Sequence, residues 1–240
     1  MIDLSIIIPA YNEEKRITDT LVSMSNYLLR QEYHYEILVV DDGSSDKTVR
    51  VVQALQLTVP NIRILALERN QGKGAAVRKG MLEAKGSIRL FSDADGATPI
   101  EELEKVIHPI CSGEVDIAIG SRYLENSDVQ KKQPRYRVIW SRLVNKMVQR
   151  FLLPGIVDPH CGFKAFTATS AEALFQRSSI NEWSFDLEIL AMAKKMGFDI
   201  KEIPVKWIHD ERSKGRISQL PTEIKNVYRI KKRLSKCYQQ

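Results

Sequence analysis

Asp93 and Asp95 stand on either side of Ala94, directly after the apolar run IRLF. Two carboxylates at the end of a strand offer hard oxygen ligands. Such ligands suit Mg²⁺ or Mn²⁺, ions that keep several waters and are commonly held by few protein groups together with a substrate diphosphate. A solvated turn is the competing reading, since aspartate and glycine are turn formers. A second acidic string, Asp41-Asp42-Gly43-Ser44-Ser45-Asp46, follows the run ILVV. Gly43 permits a tight turn and Ser44 or Asp46 can cap a helix, yet neither duty requires both Asp41 and Asp42. A carboxylate there can accept from a base N–H or a ribose hydroxyl. A third string, Arg69-Asn70-Gln71-Gly72-Lys73-Gly74, precedes an alanine-rich helix and would let an anion approach a helix N-terminus. Its spacing is neither that of a P-loop nor that of a dinucleotide-binding glycine loop.

The elements that must position these strings can be read from periodicity. Strand-length apolar runs at 5–10, 36–42, 61–67, 87–95 and 115–122 alternate with helical segments at 18–30, from 44 onward, at 74–84 and at 100–110. That alternation implies right-handed βαβ crossovers and an α/β architecture, a mostly parallel Rossmann-like sheet with helices on both faces. Ligands in such sheets sit at the carboxyl ends of the strands, where the polar strings fall. Beyond residue 122 the rhythm changes. A basic segment at 137–153 carries Ile139, Leu143, Met147 and Phe151 at fourfold spacing. A loop DPHCGFKAF follows, then helices at 170–176 and 185–196, one strand EIPVKWI, a loop DERSKGR and a last helix after Pro221. Residues 1–220 read as one domain and 221–240 as a basic amphipathic helix.

Charge is distributed unevenly along the 240 residues: the net +6 is the sum of −5 in the first 120 and +11 in the last 120. Cys111, Cys161 and Cys237 are odd in number and far apart, which fits a reducing compartment better than a disulfide framework. The N-terminus carries Asp3 and is interrupted by Pro9, unlike a secretory signal, and no apolar run reaches the length of a membrane span. In 221–240, Lys225, Arg229, Lys231, Lys232, Arg233 and Lys236 face Glu223 alone, while Ile224, Val227, Ile230, Leu234 and Cys237 form an apolar stripe. This helix reads either as an interfacial anchor on an anionic membrane surface or as a solvated helix packed on the domain by its stripe. Nucleic acid is not an expected partner, because the basic residues are not interleaved with stacking aromatics.

Taken together, SIIIPAYNEE, VVDDGSSD, ERNQGKGAAVRKGM, FSDADGATP, GSR, DPHCGFKAF, WSFDLEIL and EIPVKW followed by SK make the chain resemble the inverting, GT-A-fold glycosyltransferases of family 2. The similarity is strongest to the branch that transfers sugars to polyprenyl phosphates, and within it to the glucosyl side. The resemblance implies that Pro9, Tyr11 and Glu13 frame the base and ribose of a nucleotide-sugar donor and that Asp41 meets the base. It places Asp93 by the ribose and sugar, with Ala94 and Lys73 in the same donor site. Asp95 would hold Mg²⁺ or Mn²⁺, with Asp93 and His209 as further candidate ligands. Arg122, Lys164, Ser213 and Lys214 are implied to handle phosphates, with Arg212 an added diphosphate contact. Asp158 corresponds to the carboxylate near the reacting sugar.

The expected activity is metal-dependent transfer of a hexose, glucose from UDP-glucose, onto a polyprenyl phosphate at the cytosolic membrane face. The alternatives are a soluble hydroxyl acceptor such as a glycan, or mannose from GDP-mannose. A hydroxyl acceptor needs a general base, for which Asp158 is the candidate; a phosphate acceptor is already ionised and needs cations instead. His34 and His108 read as surface groups. His160 could serve the site or merely brace its loop. Trp183 and Phe185 read as core anchors for a helix that Asp186 and Glu188 cap.

Overall fold

A computed structural model describes residues 2–130, 145–208 and 220–237 of the chain. Its strands form because both of their faces are covered. In β1 (Leu4–Ala10), Ile7 enters one core while Leu4, Ile6 and Ile8 enter the other; in β2 (Tyr35–Asp41), Leu38 and Val40 part in the same way from Ile37 and Val39. Side chains alternate across a strand, so burial on both faces appears in sequence as a continuous apolar run.

Seven strands lie in the order β3 (Ile62–Ala66), β2, β1, β4 (Ile88–Ser92), β7 (Phe163–Thr167), β5 (Ile117–Ser121) and β8 (Ile200–Pro204). All run parallel except β7, which is antiparallel to both neighbours. One face is packed by α3 (Lys73–Glu83), α5 (residues 145–151 of the described chain), α6 (Ala168–Phe175), α7 (Phe185–Met196) and α8 (Leu220–Cys237). The other is packed by α1 (Ile17–Leu28), α2 (Thr48–Leu55) and α4 (Leu103–Cys111). A short parallel pair, β6 (Val129–Gln130) with β9 (Trp207–Ile208), lies apart from the main sheet.

Two elements differ from expectation, and a third takes one of the two readings the sequence left open. DPHCGFKAF is not all loop, because its second half is β7, inserted between β4 and β5. Phe163 and Ala165 enter one core and Phe166 the other, while Lys164 is 1% exposed and neutralised by Asp186 of α7 at 2.7 Å. The expected strand EIPVKWI is split into β8 and β9 on either side of Val205-Lys206. Finally, the stripe of α8 is turned inward: Val227, Ile230 and Leu234 are buried in the core shared with α7. In the basic segment before it, Met147 packs against the same core and Phe151 is 55% exposed, while Ile139 and Leu143 lie outside the described residues.

Candidate active site

The carboxyl ends of β1, β2 and β4 open onto one cleft of about 500 Å³, lined by Pro9 near the end of β1, Tyr11 and Glu13 after it, and Asp93, Ala94 and Asp95 after β4, with Lys73 opposite. All seven were singled out in the sequence. The loops behind them are braced. Asn12, at φ 54, accepts from Ser45 N at 2.8 Å and its own N–H donates to Ser44 Oγ, tying the turn after β1 to the turn after β2.

The two acids after β2 have separate duties. Asp41 accepts from Ser44 N at 2.9 Å through one oxygen; its Oδ1 is buried and has no partner among the described residues. A buried acceptor left open is costly unless a ligand donates to it, and a base N–H is a suitable donor. Asp42 instead accepts from Gln71 N and Gly72 N at 2.7 and 2.9 Å, holding the loop before α3. Burial raises the Asp42 pKa against those two amides, and the neighbouring Asp41 adds to the rise.

That loop does not serve as the expected anion cradle. A Cβ at Gly72, which sits at φ +103, would run into Asn181 O, and one at Gly74 would lie 2.6 Å from Ile180 O. Gly74 N and Ala75 N both donate to Asn181 O, at 2.6 and 3.3 Å. The glycines thus admit the backbone of residues 180–182, which occupies the amides that a phosphate would have used.

Two cations, Lys73 and Arg16, offset part of the acidic charge in the cleft. Lys73 Nζ is 2.6 Å from Asp93 Oδ1 and 4.8 Å from the centre of the Trp183 ring. Burial opposes its charge, but Asp93, then Asp186 and Asp95, outweigh that and hold its pKa above the ordinary value. Arg16 pairs with Glu13 and reaches to 3.9 Å from Asp95 Oδ2. Burial first, then Asp93, pushes the Asp95 carboxyl up to about 6, against the Ala97 amide, Arg16 and Lys73. A carboxylate so poorly compensated is a strong acceptor for added positive charge, and a divalent ion fits it. Among the described residues no group of three or more His, Cys, Asp or Glu is gathered where it could hold a metal ion. His209 lies outside the described residues, as do Arg212, Ser213 and Lys214.

The floor of the site depends on a close approach. Asp93 N donates to Gly162 O at 3.1 Å, and a Cβ at Gly162 would overlap the Asp93 carboxyl group. Gly162→Ala is therefore expected to keep the fold but re-aim Asp93, with a loss of about 10²-fold in kcat, the usual cost of a misplacement near 1 Å. Steady-state kinetics beside an unchanged circular dichroism spectrum checks this.

Three expected site residues are committed elsewhere. Asp158 is 0% exposed and accepts from Arg122 Nε and a terminal nitrogen, both at 2.7 Å, and from Arg122 N at 2.9 Å. Burial works to raise Asp158, but Arg122 outweighs it and keeps the carboxyl below the ordinary range; Arg122 is correspondingly raised. The guanidinium is further held between the rings of Tyr123 and Trp207, 5.4 Å from each. Lys164 is spent on Asp186 and on Cys161 O. The expectation that Arg122 and Lys164 offer free cations is corrected on this ground, as is that of Asp158 as an accessible base. Trp183 is corrected too: Phe185 is a 1% exposed core anchor, but Trp183 is 40% exposed on the cleft wall. Arg16 was missed, since an arginine opening a helix reads as a surface residue. Glu188 accepts from Ser179 N, Ser179 Oγ, Ile180 N and Arg233 of α8, bracing the loop before α7 rather than capping the helix.

The glycosyl transferase family 2 model matches residues 5–175. A dolichyl-phosphate beta-glucosyltransferase of Dictyostelium discoideum is 38% identical over 222 residues, covering 88% of this chain and 68% of that protein. The Homo sapiens protein of the same name is 34% identical over 224 residues, covering 88% and 69%. In three dimensions the chain is similar to glucosyl-3-phosphoglycerate synthase from Mycobacterium tuberculosis, crystallised with Mn²⁺, UDP-glucose and phosphoglyceric acid. The TM-score is 0.71 at 17% identity, covering 97% of this chain and 79% of that one.

Proposed function

The chain belongs to glycosyl transferase family 2 and has a GT-A fold, and from that premise we propose that it transfers glucose from UDP-glucose to a polyprenyl phosphate with inversion. The observation that carries this reading is the cleft that unites Pro9, Tyr11, Glu13, Lys73, Asp93, Ala94 and Asp95 in a chain similar over most of its length to dolichyl-phosphate beta-glucosyltransferases. Pro9 and Tyr11 frame the base, the open Asp41 oxygen accepts its N–H, and Asp93 faces the ribose and sugar. Asp95, with Asp93, would hold Mg²⁺ or Mn²⁺, whose charge offsets that developing on the departing diphosphate. Arg16 and Lys73 flank those carboxylates; Arg16 would turn toward the diphosphate once its partners are engaged, while Lys73 stays on Asp93.

The closed Asp158–Arg122 pair favours a phosphate acceptor over a hydroxyl. A hydroxyl must lose a proton as it attacks, and Asp158 is wholly hydrogen-bonded to Arg122. A phosphate monoester is ionised at neutral pH and attacks without a base. Its cations would come from Lys214 and Arg212, with Ser213 beside them. The reading is tested with purified protein, Mn²⁺, labelled UDP-glucose, UDP-galactose and GDP-mannose, and either a short polyprenyl phosphate or the matching alcohol. Glucosyl transfer to the phosphate alone is expected. Transfer confined to alcohols or soluble glycans would overturn the acceptor, and preference for GDP-mannose the donor.

Such an acceptor lies in a membrane, and the outer face of α8 suits an anionic surface on the cytosolic side. Lys225, Arg229, Lys231 and Lys232 are exposed there with Tyr228, and Lys231 lies 5.9 Å from the ring of the exposed Phe151. Among the described residues no helix is long and apolar enough to cross a membrane. Because the apolar stripe is packed inward, attachment through this face would be chiefly electrostatic. Each charge removed from it should weaken binding to phosphatidylserine vesicles about fivefold, an effect erased by high salt. Vesicle flotation of the variant with all four replaced by serine measures it.

A further inference from the structure

Trp183 departs from the ordinary rule of burial. It is a large ring, 40% exposed, on the wall of a cleft that also holds Glu13, Arg16, Asp42, Lys73, Asp93 and Asp95. Its neighbour Phe185, two residues on, is 1% exposed in the core.

The exposure does not come from a slack loop. Asn181 O receives Gly74 N at 2.6 Å, and Asn181 Oδ1 receives Arg78 at 2.8 Å. Ser179 N and Ile180 N donate to Glu188 at 2.9 and 2.8 Å, and Asn226 of α8 donates to Ser184 Oγ at 3.1 Å. The backbone on both sides of Trp183 is thereby fastened to α3, α7 and α8. A fastened ring keeps apolar area in water that a flexible one could tuck away, and that area becomes favourable only when a ligand covers it.

The neighbours of the ring indicate what kind of ligand. Lys73 Nζ lies 4.8 Å from the ring centre and 2.6 Å from Asp93 Oδ1, so the ammonium links the indole to the carboxylate. A ligand beside these groups meets an apolar face next to a hydrogen-bonding pair. A pyranose has that character, with C–H groups on its faces and hydroxyls at its rim. Glucose, whose ring hydroxyls are equatorial, presents axial C–H groups on both faces. An axial hydroxyl, as at C4 of galactose, would press a polar group without a partner against an aromatic surface.

We propose that Trp183 is the platform on which the donor hexose rests, with Lys73 the positioning residue that holds the indole and Asp93 in register. This rests on the nucleotide-sugar reading of the cleft and adds to it a residue that selects the sugar. The test is calorimetric titration, in Mn²⁺, of UDP, UDP-glucose and UDP-galactose into the wild type, Trp183→Phe and Trp183→Ala. UDP should bind all three proteins alike. UDP-glucose should bind Trp183→Ala about tenfold more weakly, the scale of one aromatic contact, with most of the loss recovered in Trp183→Phe. The preference for glucose over galactose should shrink in Trp183→Ala. Unchanged UDP-glucose affinity in Trp183→Ala overturns the platform, and so does an equal loss for UDP and UDP-glucose, which would assign the ring to the nucleotide or to the wall itself. A wild type that binds neither UDP nor UDP-glucose would instead overturn the donor reading beneath it.

Discussion

Asp95→Asn should lower kcat by about 10³-fold, the several kcal/mol supplied when charge on a leaving group is neutralised, while leaving the protein at least as stable as the wild type. The two halves of this expectation have one cause. Burial and Asp93 together raise the Asp95 carboxyl to about 6, so its ionised form is unfavourable in the folded, metal-free protein. In the unfolded chain it titrates near 4. Between those values the native state binds more protons than the unfolded state, and stability falls as pH rises through the window. Asparagine removes that unfavourable charge. Thermal melts of the metal-free variant from pH 4 to 8 should lose this component of the pH dependence, and added Mn²⁺ should stabilise the wild type but not the variant. A variant that is both inactive and unstable would place Asp95 among the structural acids instead.

Asp158→Ala should do the opposite, lowering stability by about 3–5 kcal/mol, because a buried pair broken on one side leaves an uncompensated charge. Arg122 would lose three hydrogen bonds while its guanidinium stayed between Tyr123 and Trp207. Against a total stability of about 5–15 kcal/mol, such a loss approaches unfolding. The wild-type pair also predicts acid sensitivity. The Asp158 pKa is depressed on folding, so its contribution is complete above about pH 4, the unfolded value, and disappears as pH falls through the lower folded value. Urea denaturation measures the loss. The double variant Asp158→Leu with Arg122→Met, which removes both charges, should recover much of it. If the double variant is stable and transfers glucose, Asp158 acts through the fold; if it is stable and inactive, the carboxylate or its arginine acts on substrate.

These contrasting acids show what the sequence could and could not convey. Strands with both faces apolar announce themselves, and α7 begins and ends where its pattern says, at Phe185 and Met196. Most of the cleft residues were legible because they stand at the end of such a strand, whereas Lys73 opens α3. The strand β7 was hidden by Lys164: a lysine inside a short run reads as a loop, and its partner Asp186 is 22 residues away. Arg122 and Asp158, 36 residues apart, look like two separate site residues until they are seen to neutralise each other. The stripe of α8 was ambiguous for a different reason. An apolar stripe with a basic back is what both a membrane and a domain core select, and only the packing of Val227, Ile230 and Leu234 decides between them.

The placement of β7 has a consequence for the order in which the protein can fold. β4 and β5, formed by residues 88–92 and 117–121, have no contact along their facing edges until residues 163–167 arrive between them. During synthesis the N-terminal strands therefore wait with two unpaired edges, a state prone to pairing with other chains. The closing strand also brings Gly162 to Asp93. The joining of β4 to β5 and the completion of the cleft floor are thus one event, and only β8 is added to the sheet after it. A nascent or truncated chain ending before that point would carry Asp93 and Asp95 but not the surface that sets their direction.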